Sequence, residues 1–344
     1  MASRNMPNSA GGERRSHQQG HRIMQTTRRI LLGVAAATIL ARPALAFPDR
    51  TLRIISGYAP GGLNDIVSRA MAQALIPVLG QSVVVENRAG AGGSVGATAA
   101  ARSTPDGHTL WMGIVDTQAI NPYAYKKLQY DPEKDFAPIS LVAKFPFALV
   151  VGPSQPRLTS FEALIAAAKA DPGRLTYATW GIASTPHLAM ERILRAKGVE
   201  MLHVPFTSQA PGMQAIMGSQ VDCMPLPAGG AESMMRDGRT RAVAVLAPRP
   251  LDLIPGAPLM KDLGVDLTSG LWKAIYAPAR TPPAVVERLN QAVREAMTAP
   301  AFVEVVRQQG AVPEPTTPEE LAAFERGERQ IWGDVVRASG AMLD

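Results

Sequence analysis

Apolar positions along this chain fall into short runs separated by glycine and proline turns. Leu52, Ile54 and Ile55 open a run that stops at Gly57-Tyr58, the pattern of a buried strand. Pro60-Gly61-Gly62 then breaks regular structure. Ile66, Val67 and Ala70 take up helical spacing behind Asn64 or Asp65, either of which suits an N-cap. Strand, glycine turn and helix N-terminus thus follow one another. Backbone N–H groups and the positive end of the helix dipole converge there with little side chain in the way, which suits a carboxylate. An ordinary βα turn accounts for the same residues equally well.

The alternation continues. Val83 to Val85 read as a second strand, Asn87 to Gly93 as a second glycine turn, then an alanine-rich helix and a strand from Thr109 to Val115. Such alternation predicts a parallel sheet covered on both faces. Ile139 to Val151 is apolar, contains Phe145-Pro146-Phe147, and is read as a strand that leaves one domain and enters the next. A second series follows from the N-cap Ser160: strands at 175–179, 201–205, 221–224 and 241–246, with helices between them. Leu271 to Ala277 reads as a return crossing, and amphipathic helices over 282–297 and 318–339 close the chain. The inferred fold is α/β, two doubly wound lobes. Residues 47–147 plus 270–344 form lobe 1, 148–247 lobe 2, and 248–269 the hinge or crossover region. A ligand is expected between the lobes, beyond the carboxyl ends of the strands.

Charge changes the picture only at the N-terminus. The net charge of +6 over 344 residues hints at nucleic acid. Seven of the 35 basic and one of the 29 acidic residues lie in 1–46, which leaves 28 of each in the body. Nucleic-acid binding is unsupported. The leader explains the excess: Arg28-Arg29, an apolar segment from Ile30 to Leu40, and Ala44-Leu45-Ala46 before Phe47-Pro48 have the anatomy of a secretory signal cleaved after Ala46. The paired arginines suit the twin-arginine route, with the general secretory route also open, and Met24 is a candidate true start. The chain is therefore expected in the periplasm, as a monomer. Cys223 is the lone cysteine, so no internal disulfide forms, and a buried thiol is expected.

Candidate chemistry is sparse. Gly90-Ala91-Gly92-Gly93-Ser94-Val95-Gly96 sits between a strand and a helix, but its third glycine falls one place late for a dinucleotide fingerprint. His187 and Glu191 lie one helical turn apart without the further ligands a metal needs. No G-x-S-x-G occurs. No catalytic residue, metal or cofactor is expected. A second anion site is expected at Thr179 to His187, where Ser184 or Thr185 caps a helix opened by Pro186. Two helix N-termini facing across a cleft make a clamp for a small carboxylate.

Several blocks in order (YAPGGLNDIVSRAMAQAL, VVVENRAGAGGSVGATAAARSTPDGHTL, AINPYAYKKLQYDPEKDFAPISLVA, YATWGIASTPHLAMERI and HVPFTSQAP…GSQVD) resemble the Bug receptors, the periplasmic solute-binding proteins of tripartite tricarboxylate transporters. The resemblance runs from about Phe47 to the C-terminus. It implies a two-lobe Venus-flytrap fold that closes on small organic carboxylates without catalysis, with membrane permease subunits as partners. The alternative partner is a membrane sensor kinase. It also implies that the ligand carboxylate is held by two βα loops, here Tyr58 to Asn64, with Gly61 and Gly62, and Gly181 to Thr185, with Ala183 and Ser184. His187 follows directly.

The polar end departs from the family pattern. Asp116-Thr117-Gln118 replaces a small residue, threonine and histidine. Trp180 and Ile182 replace polar residues, and Phe206-Thr207-Ser208 replaces tyrosine-lysine-glycine. Two readings stand. In one, Trp180 and Phe206 stack on a flat or apolar ligand body while Asp116 receives an amine or ring N–H. In the other, Trp180 packs the cleft wall and Asp116 caps the helix leading into Ala119-Ile120.

Overall fold

The computed structural model describes Met1, residues 47–267 and residues 270–343. The leader and its expected cleavage after Ala46 lie outside the described residues. Arg50–Asp344 forms one unit, distinct from Met1–Asp49.

The first series builds β1 (Leu52–Ser56), α1 (Leu63–Leu79), β2 (Val83–Asn87), α2 (Ser94–Ala101), β3 (Thr109–Ile114), the one-turn α3 (Asn121–Ala124) and β4 (Phe136–Phe145). The second builds β5 (Phe147–Val151), α4 (Phe161–Ala170), β6 (Thr176–Thr179), α5 (Thr185–Lys197), β7 (Leu202–Pro205), α6 (Gln209–Met217), β8 (Cys223–Pro227), α7 (Ala228–Met235) and β9 (Arg241–Leu246). The chain then returns through β10 (Leu271–Pro278) to α8 (Pro283–Ala296), α9 (Pro300–Gln308) and α10 (Pro318–Ser339). Two five-stranded sheets result, in the orders β2-β1-β3-β10-β4 and β7-β6-β8-β5-β9.

Both sheets are mixed rather than wholly parallel. β1 runs parallel to β2 and β3, and β6 parallel to β7 and β8. β10 runs antiparallel to β3 and β4, and β5 antiparallel to β8 and β9. The antiparallel strands β5 and β10 are the ones that arrive from the other sheet, so they need no helical crossover on their own face. The expected single strand over 139–151 is likewise two strands. Phe145 pairs with Leu271 in the first sheet and Phe147 with Leu246 and Pro227 in the second. Pro146 separates them, because it has no N–H to continue a ladder. Cys223 is buried, as its type predicts.

The sheets are held by apolar burial. Leu52, Ile54 and Ile55 are at most 1% exposed, and burial of each such side chain contributes about 1.5–3 kcal/mol. β3, β5 and β10 are buried along their whole length, as interior strands with both faces covered must be. Gly96 brings α2 against β1, where a Cβ would lie 2.7 Å from Gly57 Cα. The glycine-rich turn serves that close approach. At the far side, the Trp272 and Trp332 indoles both donate to Glu328 Oε2, at 2.7 and 3.0 Å, and pin α10 over β10. Thr317 and Glu320 form a capping box that starts α10.

Candidate functional site

The loops that follow β1, β3, β6 and β7 all leave the carboxyl ends of parallel strands and converge between the two sheets. They enclose a narrow cleft of about 40 Å³. Tyr58, Ala59 and Gly62 line one wall with Leu63 and Asn64 of α1. Ile114, Leu271 and Lys273 form the floor, and Trp180, Ser208 and Gln209 face them from the second sheet.

Asp116 dominates the polar contacts. It begins a π-helical turn, Asp116–Ile120, directly after β3, an irregularity that recurs at functional sites. The carboxylate is 1% exposed and reaches across to the second sheet's loop. Oδ2 accepts from the Trp180 indole Nε1 at 3.1 Å and from the Tyr58 hydroxyl at 3.4 Å. Oδ1 accepts from the Thr185 backbone N–H at 3.2 Å and from the Thr185 hydroxyl. The Asp116 carboxylate thus caps the N-terminus of α5 and not the turn that it begins. It does receive a ring N–H, but from the protein's own Trp180. Burial raises its pKa, and the Thr185 and Trp180 donors with the Lys273 charge oppose that rise.

This occupancy revises the double clamp. On the α5 side, Gly181 N–H donates to Thr179 Oγ1 at 3.2 Å, and Ala183 N–H donates to His187 Nδ1 at 3.1 Å. Ser184 N–H donates to Gly181 O at 3.3 Å, and the Ser184 hydroxyl to the same oxygen at 2.6 Å. With Thr185 spent on Asp116, these donors are satisfied within the protein. On the α1 side the N-cap is Gly62 rather than Asn64 or Asp65. Asp65 instead accepts the Gly61 N–H at 3.1 Å, so of the two glycines Gly62 lines the cleft and Gly61 faces solvent.

Other expected residues separate. His187 is buried and stacks on His203 at 4.1 Å between centroids. Because Nδ1 accepts from Ala183, the ring is neutral with its proton on Nε2. Burial lowers the pKa of His187, and burial with the neighbouring imidazole takes His203 down to about 4. The pair shapes the loop and does not line the cleft. Thr117 is fully buried, donates its hydroxyl to Ile114 O at 3.1 Å, and does not line the cleft. Phe206 is half-buried beside Gly212 and Thr207 is exposed; neither lines the cleft, whereas Ser208 and Gln209 do. Trp180 packs edge-on against Phe147, with centroids 5.7 Å apart, and so walls the cleft. Among the described residues no group of three or more His, Cys, Asp or Glu side chains comes together around a metal position.

Sequence reasoning missed Lys273. Its side chain is 0% exposed, and Nζ donates to Asn64 Oδ1 at 2.8 Å and lies 5.7 Å from the Phe145 ring centroid. Asn64 Nδ2 in turn donates to Ser56 Oγ at 2.9 Å, so this amide holds the lysine in place. Burial brings the Lys273 pKa down to about 7, against a smaller upward pull from Asp116. The available signal was one lysine inside the otherwise apolar run Leu271–Pro278, since a buried lysine is rare without a task.

The chain is similar over most of its length to known proteins. Residues 67–341 match the family described as "Tripartite tricarboxylate transporter family receptor". The protein BugT of Bordetella pertussis is 34% identical over 320 residues, spanning 91% of this chain and 97% of that protein. The solved structure of the periplasmic binding protein BugD is 30% identical with a TM-score of 0.80, covering 86% of this chain and 99% of that one. Rhodopseudomonas palustris Rpa4515, solved with adipate, is 28% identical with a TM-score of 0.82, covering 86% of this chain and all of that one.

Proposed function

The chain belongs to the tripartite tricarboxylate transporter receptor family of periplasmic solute-binding proteins, and from that premise we propose that it captures a small organic carboxylate in the cleft between its sheets and delivers it to membrane permease subunits. It works by binding alone, without a catalytic step, and as a monomer. The observation that carries this reading is the buried ammonium of Lys273 on the cleft floor, opposite Trp180 and beside the N-terminus of α1. An ammonium in so dry a place is costly until an anion joins it.

A cleft of about 40 Å³ is far below the roughly 300–1,000 Å³ of small-molecule sites. Ligand entry therefore requires the sheets to part. Two crossings join them, Pro146 between β4 and β5 and residues 248–269 between β9 and β10, and these are the hinge. On this reading lobe 1 comprises 47–147 plus 270–344, and lobe 2 comprises 148–247. Tyr58, Gly62, Asn64 and Lys273 meet the ligand on lobe 1, with Trp180, Ser208 and Gln209 on lobe 2. Ligand favours closure by binding the closed form better than the open one. Export follows the leader, with cleavage after Ala46, and no helix among the described residues is long and apolar enough to cross a membrane.

The test is a thermal-shift and calorimetric screen of mono-, di- and tricarboxylates, with amino acids and neutral sugars as controls. A true ligand at 100 times its dissociation constant adds about 2.7 kcal/mol of stability. Binding of neutral sugars in preference to every acid would overturn the reading.

A further inference from the structure

Two opposite charges are buried here, Lys273 in the cleft lining and Asp116 behind the Trp180 and Tyr58 side chains that line it, and they are satisfied very differently. Asp116 is seated by neutral donors only: the Trp180 indole, both donors of Thr185 and the Tyr58 hydroxyl. The donors from Trp180 and Thr185 form a complete carboxylate seat on the second sheet's loop, and Asp116 fills it from the other side. Lys273 has no such arrangement. Its ammonium makes one hydrogen bond, to the Asn64 amide oxygen, and no carboxylate lies within 4.0 Å of it among the described residues. The lining that surrounds it is largely apolar: Leu63, Ile114, Leu271 and Trp180.

We propose that the cleft selects a monocarboxylate with an apolar body: Lys273 takes the ligand's single anionic group, and Asp116, already in the opposite seat, excludes a second one. This rests on the receptor reading given above and narrows its substrate class. A diacid has two routes into the cleft. Its second carboxylate displaces Asp116 into a place without donors, or it lies beside Asp116 as a buried like charge; both are unfavourable. A monoacid meets neither obstacle, and its alkyl or aryl body replaces water on Trp180 and Leu271. Asp116 is thus a specificity-determining residue and Lys273 the ligand's anchor.

The experiment is titration calorimetry with chain-matched pairs: butyrate and succinate, hexanoate and adipate, benzoate and terephthalate. Wild type, Asp116→Ala, Asp116→Asn and Lys273→Met are compared, with circular dichroism to check folding and tryptophan fluorescence to report movement at Trp180. Wild type is expected to bind the best monoacid at least about tenfold more tightly than its diacid partner. Asp116→Ala is expected to narrow that ratio about tenfold by opening the seat, and Lys273→Met to weaken the monoacid about 100-fold. Should Asp116→Ala fail to fold, Asp116→Asn keeps the shape and removes the charge, and it is expected to narrow the ratio in the same direction by a smaller factor because the seat stays filled. A wild-type preference for diacids that Asp116 variants leave unchanged overturns the inference while the receptor reading stands. Binding of no acid by wild type overturns both.

Discussion

Lys273→Met isolates the energetic consequence of burying an ammonium at the cleft. The folded pKa, about 7, lies below the ordinary lysine value of 10.5 that applies in the unfolded chain. Between these values the unfolded chain binds more protons than the folded one, so the lysine makes stability rise with pH across that window. Below about pH 7 the full penalty of the buried charge is present; above about 10.5 it is gone. Each pH unit well inside the window is worth about 1.4 kcal/mol, and the step from pH 7 to pH 9, which starts at the folded pKa, about 2 kcal/mol. Methionine has similar length and no charge, so the wild-type stability relative to Lys273→Met should improve by about 2 kcal/mol between those two pH values. Asp116 and Tyr58, the ionisable groups that face the same space, are present in both proteins, so their own titration is common to the two and drops out of the difference to first order. Burial raises the pKa of Asp116, and burial beside Asp116 holds that of Tyr58 well above its ordinary value. Urea unfolding of both proteins at pH 7 and pH 9, followed by far-ultraviolet circular dichroism, reads the difference directly. A gap that is the same at both pH values would refute the assignment of a buried, depressed lysine.

Other outcomes follow from the same geometry. Ligand affinity should be level up to about pH 7 and then fall about tenfold per pH unit, since a carboxylate pairs with protonated Lys273; calorimetry in buffers of different ionisation enthalpy should show proton uptake above pH 7 and none near pH 6. Gly96→Ala sets a methyl against Gly57 Cα and should cost about 1–3 kcal/mol, measured as a lowered urea midpoint at constant slope. The exported protein should begin at Phe47, read by N-terminal sequencing; a start elsewhere would break the reading of the leader.

Local pattern determined much of this protein. The apolar runs around Ile54, Leu110 and Leu149 and the helical stripes after Ser160 and Thr317 mark strands and caps without outside help, because burial of one face imposes its period on the sequence. The glycine turn after β1 and the Ser184–Pro186 helix start were legible for the same reason: turn and cap chemistry is written in neighbouring residues. Tertiary structure decided what no window of the chain contains. That β5 and β10 run antiparallel depends on which sheet each strand enters, and Pro146 reveals this only once both partners are seen. Asp116 and Thr185 stand 69 residues apart, and Lys273 and Asn64 stand 209 apart. Sequence could mark Asp116 as unusual, yet whether its charge awaits a ligand or fills the protein's own seat is settled by the distance across the cleft. Lys273 lay unnoticed in an apolar strand because the meaning of a charge comes from its surroundings in space, and the strand's own neighbours supplied only hydrocarbon.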